Sequence, residues 1–241
     1  MNDKQSVSLS FDNVSHSYGA VNVLQSLSLQ VQNGEVLVLV GPSGCGKTTI
    51  LNLLSGHIRP TQGKVNRTGN IRTVYQHDGL FPWLTVGENI DMGLRSLGNQ
   101  PQRETEKKDL LELIHLQGFE NHYPHQLSGG MRQRVELARA LAGQSDILLM
   151  DEPFSALDYQ TRLRMRLELV RILKQRPRTI VFVTHDIEEA AQLADRVLVL
   201  SSRPATICRE LHVNASRPRD LTGAAVIETM KTILIELGLQ Q

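Results

Sequence analysis

The sequence has few cysteines, no marked excess of either charge and no long apolar run. Its 241 residues include two cysteines, Cys45 and Cys208, which offer neither a disulfide framework nor metal-ligand spacing and suit a reducing cytosol. The formal net charge at pH 7 is +1, and no polybasic block is present. The charge therefore gives no electrostatic reason to expect binding to nucleic acid or to an anionic membrane surface.

No segment is apolar enough to cross a bilayer by itself. The longest aliphatic run, Val36–Val40, is about a quarter of the required length and ends at Gly41. The first ten residues are polar, so we expect no secretory signal peptide. Any membrane role is therefore expected to depend on a partner protein.

The first 40 residues carry the patterns of two kinds of strand. Apolar and polar residues alternate over Ser8–Val14 and again over Leu27–Val31, which is followed by a turn at Asn33-Gly34. This alternation predicts an exposed antiparallel sheet joined by a tight hairpin. The run from Glu35 to Val40 then becomes continuously apolar, as expected of a central strand that is covered on both faces.

Further along the chain, short aliphatic strands alternate with helices. The predicted strands are Ile147–Met150, Thr179–Val183 and Arg196–Leu200, and the predicted helices are 48–55, 160–174 and 187–193. Such alternation implies a mostly parallel sheet with crossover helices. Residues 85–142 differ, because Glu, Lys, Leu and Gln recur there at helical spacing and predict three helices, broken near 98–101 and 122–124.

We therefore expect one α/β domain over residues 1–241. Its nucleotide-binding core would comprise residues 1–84 and 145–218, with a helical subdomain at 85–144 and a C-terminal helix within 219–241. The last segment places apolar residues at helical spacing, and packing against the chain's own core is the expected arrangement.

A phosphate-binding loop lies between a predicted strand and a predicted helix, which is the context that supports the motif. Glycines let the backbone N–H groups approach phosphate oxygens, and the helix N-terminus adds favourable partial charge. Lys47 would neutralise the β- and γ-phosphates, and the hydroxyl of Thr48 would ligate Mg²⁺. The loop consists of Gly41, Pro42, Ser43, Gly44, Cys45, Gly46, Lys47, Thr48 and Thr49.

Two acidic residues, Asp151 and Glu152, directly follow the predicted strand Ile147–Met150. Alone, they are most simply solvated acids before the turn at Pro153. With the phosphate loop, they favour catalysis at the carboxyl edge of the sheet. Asp151 would then support the shell of Mg²⁺, and Glu152 would polarise the attacking water.

A third motif, Leu127–Gln133, reads Leu-Ser-Gly-Gly-Met-Arg-Gln. Ser128 is a natural helix N-cap, and Gly129 and Gly130 expose backbone N–H groups beside it. Phosphate loop, glycine signature and acidic pair, in this order, resemble the ATP-binding cassette (ABC) family, the motor subunits of membrane transporters. The resemblance implies a P-loop NTPase core of the RecA-like kind, ATP and Mg²⁺, and ATP hydrolysis. It also implies a head-to-tail dimer, in which each signature binds the γ-phosphate of ATP held by the opposite protomer.

The resemblance assigns roles to four further positions. Tyr18 matches the aromatic residue that stacks on adenine, and Gln76 matches the glutamine that reaches Mg²⁺ and the attacking water. Asp158, in the segment Ser155–Asp158, matches the loop that contacts the other protomer, and His185 matches the histidine on the γ-phosphate. Taken singly, three of them have a plain structural alternative: surface packing for Tyr18, a helix cap for Asp158 and a satisfied structural histidine for His185. An isolated glutamine would indicate nothing, so the role of Gln76 rests on its position alone.

The segment His77–Ile90 carries Phe81, Pro82 and Trp83 beyond the glutamine. These residues either plug the junction between the core and the helical insertion or form a groove for a membrane permease. The string resembles the subgroup that imports nitrate, sulfonates, taurine and related solutes. That resemblance implies a cytoplasmic ATPase, held at the inner face of the membrane by the permease, in a system with a periplasmic solute-binding protein.

Two alternatives use the same catalytic motifs. An export or lipoprotein-release cassette shares all of them. A soluble cassette acting on DNA or ribosomes is disfavoured, since such proteins separate the motifs by long coiled coils or carry two cassettes, and since this chain is nearly neutral. The solute and the choice between identical and related second subunits stay open.

Overall fold

The computed structural model of the chain describes residues 7–75, 79–143, 145–155 and 157–239. The strands in chain order are β1 (Val7–Tyr18), β2 (Val21–Gln32), β3 (Val36–Val40), β4 (Gln62–Arg67), β5 (Ile71–Val74), β6 (Ile147–Asp151), β7 (Thr179–Thr184), β8 (Arg196–Leu200) and β9 (Ile207–His212). The helices are α1 (Lys47–Ser55), α2 (Val86–Leu94), α3 (Gln100–Leu113), α4 (Gly129–Leu141), α5 (Tyr159–Gln175), α6 (Ile187–Leu193) and α7 (Ala224–Glu236), with a short 3₁₀ turn at Pro124–Gln126.

The first sheet is antiparallel, with strand order β2-β1-β4. Alternate residues of β1, such as Leu9 and Phe11, are buried, as the sequence pattern predicted. The tight hairpin joins β1 to β2 at Gly19, where φ is 58°. The turn at Asn33-Gly34 has another role: it passes the chain from this sheet to β3, and Gly34 N donates to Thr179 Oγ1 at 2.9 Å.

The second sheet has the strand order β5-β6-β7-β3-β8-β9. Its pairings are parallel except for β9, which runs antiparallel to β8. The predicted α/β class, with a mostly parallel sheet and an antiparallel N-terminal sheet, is confirmed. The strands β4, β5 and β9 were not predicted.

Both faces of the central strands are covered, which explains their continuous apolar sequence. In β3, Leu37 and Leu39 face a core formed with α1 and the antiparallel sheet. The intervening Val38 and Val40 face a second core formed with the helices on the other side. Successive side chains of a strand point to opposite faces, so one short segment contributes to both cores.

The helices α2, α3 and α4 lie between β5 and β6, which are neighbours in the sheet. Three helices were predicted in this stretch, and their starts follow from local capping. Thr85 and Glu88 form a capping box for α2, and the side chain of Asn99 caps α3. The subdomain boundaries proposed from the sequence stay a prediction.

The C-terminal part packs against α6 through α7. The guanidinium of the buried Arg219 donates to four carbonyl groups, those of Gln192, Ala194, Val213 and Ala215. The predicted terminal helix is present as α7. Within the described ranges, no helix is both long and apolar enough to span a membrane.

Phe182, in the central strand β7, tests how far stability depends on this core. Its side chain is fully buried, 5.8 Å from Phe154 between ring centroids. We expect Phe182→Ala to lower the free energy of unfolding by about 3–5 kcal/mol, because it removes a large apolar side chain and leaves a cavity. Urea titration followed by circular dichroism measures the change.

The matched control is Leu167→Ala, since Leu167 is half-exposed on α5. That change is expected to stay within about 0.5 kcal/mol of the unsubstituted chain. Equal effects of the two substitutions would contradict the assignment of the core.

Candidate nucleotide site

Three chain segments with predicted site residues leave the large sheet at the same edge. The strands β6, β7 and β3 are adjacent and parallel, with Asp151 paired to Val183 and Val40 paired to Thr184. The phosphate loop therefore begins beside the end of β7, and the acidic pair ends the strand on its other side. Ligands of such sheets bind outside the carboxyl ends of the strands.

The phosphate loop needs glycine for conformation and for space. Gly44 and Gly46 have φ values of 74° and 119°, which side chains disfavour. A Cβ atom on Gly46 would lie 2.8 Å from Val23 Cγ1, and one on Gly41 would lie 3.0 Å from Cys45 Sγ. Larger residues therefore do not fit at these positions of the loop.

Helix α1 starts inside this loop, and the backbone N–H groups of its first turn are not bonded within the helix. Its N-cap, Gly46, supplies no side-chain hydrogen bond, so the first N–H groups of the helix point outward without an intrahelical partner. Nζ of the buried Lys47 donates to the carbonyl oxygens of Gly41 and Pro42, at 2.8 and 3.1 Å. The ammonium group is thus held within the curve of the loop, where donors and positive charge favour an anion.

The exposure of the loop residues divides them by role. Pro42, Ser43, Gly44 and Thr48 are exposed, so the outer curve is accessible to a ligand, while the side chain of Thr49 is buried. Cys45 is also buried, and burial raises the pKa of its thiol. A buried thiol of raised pKa is unreactive, so Cys45 fills space within the loop.

Asp151 lies next to the start of α1 and hydrogen-bonds to the Thr48 side chain. Burial raises the pKa of its carboxyl, and Glu152 adds to the rise. Thr48 and Lys47 oppose it. A hydroxyl and a carboxylate are the hard oxygen donors that Mg²⁺ prefers. Among the described residues, no group of three or more His, Cys, Asp or Glu could hold a metal ion, so these two donors would need phosphate oxygens and water to complete a shell.

Glu152 sits in a strained backbone conformation directly after β6. Its φ is 46°, unusual for a residue with a side chain, and such strain concentrates at functional sites. Its N–H donates to the Val183 carbonyl at 2.9 Å, which ties it to β7. Glu152 Oε2 lies 3.1 Å from Nδ1 of His185, and the imidazole is about half exposed. The structure thus brings together two residues that the sequence placed 33 positions apart.

The signature residues line a different cavity, of about 550 Å³. Ser128 caps α4 by accepting from Met131 N, and Asp158 caps α5 by accepting from Thr161 N. These hydrogen bonds with Thr161 also lower the pKa of Asp158. Ser128, Gly129, Gly130 and Asp158 all line the cavity, whereas the phosphate loop, Asp151, Glu152 and His185 do not.

Tyr18 is a predicted residue outside these groups. Tyr18 ends β1 with half of its side chain exposed, and its ring makes an edge contact with His16 at 4.7 Å between centroids. That position leaves a ring face accessible. Gln76 lies outside the described residues. So do His77, of the segment His77–Ile90, and Ala156, of the segment Ser155–Asp158.

Gly79 and Phe81 form one wall of a further cavity, of about 450 Å³, beside β5, α2 and α4. Phe81 is held by the buried Asn89, whose Oδ1 accepts from Phe81 N and whose Nδ2 donates to Phe81 O. Arg139 lies over the Phe81 ring, 5.5 Å from its centroid. Trp83 is 69% exposed, so it does not plug the junction.

An ionic cluster beside His185 was missed at the sequence level. Arg162 and Arg166, four positions apart on α5, both donate to Asp186, the residue after the histidine. Two arginines one turn apart on a partly buried helix are a signal that sequence inspection can register. Their acidic partner, 20 and 24 positions away, cannot be found from periodicity.

A sequence profile described as ABC transporter matches residues 24–155. The chain belongs to the ABC transporter family. This ABC ATPase is 45% identical to the nitrate import ATP-binding protein NrtD of Synechocystis sp., over 81% of this chain and 77% of that protein. It is 43% identical to the taurine import protein TauB of Pelagibacter ubique, over 80% and 76%, and to the aliphatic sulfonates import protein SsuB 1 of Rhodococcus jostii, over 98% and 94%.

A solved relative agrees with the fold of this ABC ATPase. The ATP-binding cassette MJ0796, in a dimeric post-hydrolysis state bound to ADP and Pi, superposes with a TM-score of 0.75 at 31% identity. The match covers 86% of this chain and all of that one. The resemblance to the nitrate, taurine and sulfonate subgroup is confirmed, and the chain is an ATP-binding, ATP-hydrolysing cassette.

Lys47 provides a direct test of the phosphate loop in this ATPase. We expect Lys47→Ala to weaken ATP binding by about 100-fold, because it removes a charged donor from a buried anion site. Isothermal titration calorimetry measures the affinity. The control, Lys64→Ala, removes an exposed lysine of β4 and is expected to leave the affinity unchanged. Unchanged affinity in Lys47→Ala would remove the loop from the site.

Proposed function

We propose that this ABC ATPase powers the import of a small anionic or zwitterionic solute of the nitrate, sulfonate and taurine class. Two copies would act head to tail, with two ATP molecules between them. The observation that carries the paired arrangement is the division of the site: Ser128 and Asp158 line one open cavity, and the phosphate loop, Glu152 and His185 gather elsewhere. The dimeric state of the solved relative supports it.

Each candidate residue then has a role in one of the two half-sites. The loop from Gly41 to Thr49 binds the phosphates through N–H groups, and Lys47 exchanges the loop carbonyls for phosphate oxygens. Tyr18 stacks on adenine. Glu152 takes a proton from the attacking water, with Gln76 helping to orient that water and His185 contacting the γ-phosphate.

Thr48 and Asp151 are the described residues that fit Mg²⁺, and Gln76, outside the described residues, is the third protein ligand that we propose. When bound, the ion offsets the charge that develops on the phosphate oxygens. The hydrogen bond between Asp151 and the Thr48 side chain holds these two donors next to each other.

The second copy contributes what the first lacks. The exposed Ser128 and Gly129, with the half-buried Gly130, present a helix N-terminus, whose donors and partial positive charge suit a phosphate held on the opposite molecule. Asp158 lies on the wall of the same cavity and would contact the partner there. Hydrolysis removes the γ-phosphate that both molecules hold, so the pair opens.

Replacing Glu152 tests the pair. We expect Glu152→Gln to bind ATP but to hydrolyse it at least about 100-fold more slowly, because the amide cannot accept the proton from water. The variant should accumulate as an ATP-bound dimer in size-exclusion chromatography with light scattering. Glu228→Gln, an exposed position on α7, is the control and should turn over normally.

A second substitution separates binding from pairing. In Glu152→Gln/Ser128→Asp, a carboxylate still caps α4 but repels the partner's nucleotide. We expect this double variant to bind ATP as a monomer. A monomeric Glu152→Gln single variant, or a double variant that still pairs, would contradict the head-to-tail arrangement.

The surface formed by Phe81, Pro82 and Trp83 is the proposed docking site for a membrane permease. The exposed indole and the adjacent cavity offer an apolar contact with polar walls from Arg139 and Glu136. Docking there would hold the ATPase at the inner face of the membrane and transmit closure of the pair. A solute-binding protein outside the membrane would deliver the solute.

Deletion of the gene tests the solute class and the direction of transport. The deleted strain should lose growth on at least one of three compounds: nitrate, taurine or an alkanesulfonate, each supplied as the only source of nitrogen or of sulfur. A copy carrying Trp83→Ser should fail to restore growth, although the purified variant keeps the ATPase rate within about twofold, since the indole is remote from the buried core. Normal growth of the deleted strain on all three compounds would contradict import of this class.

A further inference from the structure

Helix α5 carries two arginines that face the turn holding His185. Arg166, which is fully buried, donates from Nη2 to Asp186 Oδ2 at 2.6 Å and from Nη1 to Glu188 Oε2 at 3.3 Å. Its Nη2 also lies 3.4 Å from Glu189 Oε1. Arg166 thus anchors the turn to α5.

The turn itself is rigid. Asp186 N donates to Thr184 Oγ1 at 2.9 Å, Glu189 N donates to Asp186 Oδ1 at 3.2 Å, and the Thr184 hydroxyl donates to Glu189 Oε2 at 2.6 Å. Burial opposes ionisation of Asp186, but Arg166 and Arg162 outweigh it, so the pKa of Asp186 lies below its usual value. A charged Asp186 held on several sides fixes the backbone of the preceding residue, His185.

Arg162 differs from Arg166 because its fork reaches two separate segments. Nη1 donates to Asp186 Oδ2 at 2.8 Å, and Nη2 donates to the carbonyl oxygen of Leu157 at 3.1 Å. Leu157 directly precedes Asp158, which caps α5 on the wall of the signature cavity. One planar group therefore joins the loop at the proposed dimer contact to the turn of the proposed γ-phosphate histidine.

The other end of the same loop is tied to the catalytic acid. Ser155 Oγ and Ser155 N both donate to the carbonyl oxygen of Glu152, at 2.9 and 3.1 Å. The loop thus has one attachment at Glu152 and one, through Arg162, at Asp186. Glu152 and His185 are themselves in contact, so the two attachments of the loop lead to the two members of one pair of side chains.

We propose that Arg162 is a positioning residue that couples the loop Leu157-Asp158 to His185, so that contact with a second molecule sets the geometry for hydrolysis in the first. This inference rests on the proposed pairing and on the role proposed for His185. Arg162 lies on α5, outside the phosphate loop. Its effect is expected on turnover and not on nucleotide binding, which depends on the phosphate loop.

The test compares Arg162→Ala and Arg162→Lys by kcat, ATP affinity and melting temperature. Loss of the tether should lower kcat by about 10-fold or more in both variants, since small misplacements of catalytic groups are costly. ATP affinity should stay within about twofold, because the phosphate loop is unchanged. Lysine keeps the charge beside Asp186 but lacks the fork, so Arg162→Lys should recover the melting temperature without recovering kcat.

Arg171→Ala is the matched control, since Arg171 is an exposed arginine on the same helix, beside His115. It should keep kcat within about twofold. Full kcat in Arg162→Ala or Arg162→Lys would overturn the tether. A parallel loss of kcat, ATP affinity and melting temperature in both variants would also overturn it, in favour of a purely structural role.

The proposed pairing is judged on the unsubstituted chain. Its turnover per molecule should rise with protein concentration. If the turnover per molecule does not rise, the proposed pairing is contradicted. If it does, and the Arg162 variants behave like Arg171→Ala, only the coupling role fails.

Discussion

The parallel pairing of β6, β7 and β3 is the constraint on which the site depends. Backbone hydrogen bonds fix these strands in register, so their carboxyl ends reach the same edge of the sheet. The phosphate loop, the acidic pair and His185 follow those ends directly. Because both faces of the strands are buried, a slip in register would disrupt the side-chain packing of both cores. The site is therefore as rigid as the core beneath it.

The signature residues depend on other elements. Ser128 starts α4 and Asp158 starts α5, and both positions are set by local helix capping, outside the strand register. The chain thus carries a rigid phosphate site on the sheet and a separate phosphate-directed surface on helix starts. Arg162 is a physical link between the two, because it bonds to a segment of each.

Local patterns in the sequence predicted much of this arrangement, and long-range contacts account for what they missed. The phosphate loop and Asp151-Glu152 were recognisable because strand, loop and helix are contiguous there. The strand β4 was missed because its residues are almost all polar and exposed. The hairpin was predicted, but its position at Gly19 was not, because the sequence there has no strong turn signal. The contact between Arg162 and Asp186 arises only when α5 packs beside α6, which no local period encodes.

The backbone conformation of Glu152 has a consequence for the evolution of this protein. A residue other than glycine at φ 46° costs on the order of 1 kcal/mol, and the folded state retains it only because β7 and the Ser155 turn hold it there. Selection for thermal robustness alone would favour glycine at this position and would erase the acid. If glutamate persists at this position under that pressure, the organism still requires the cassette to hydrolyse ATP.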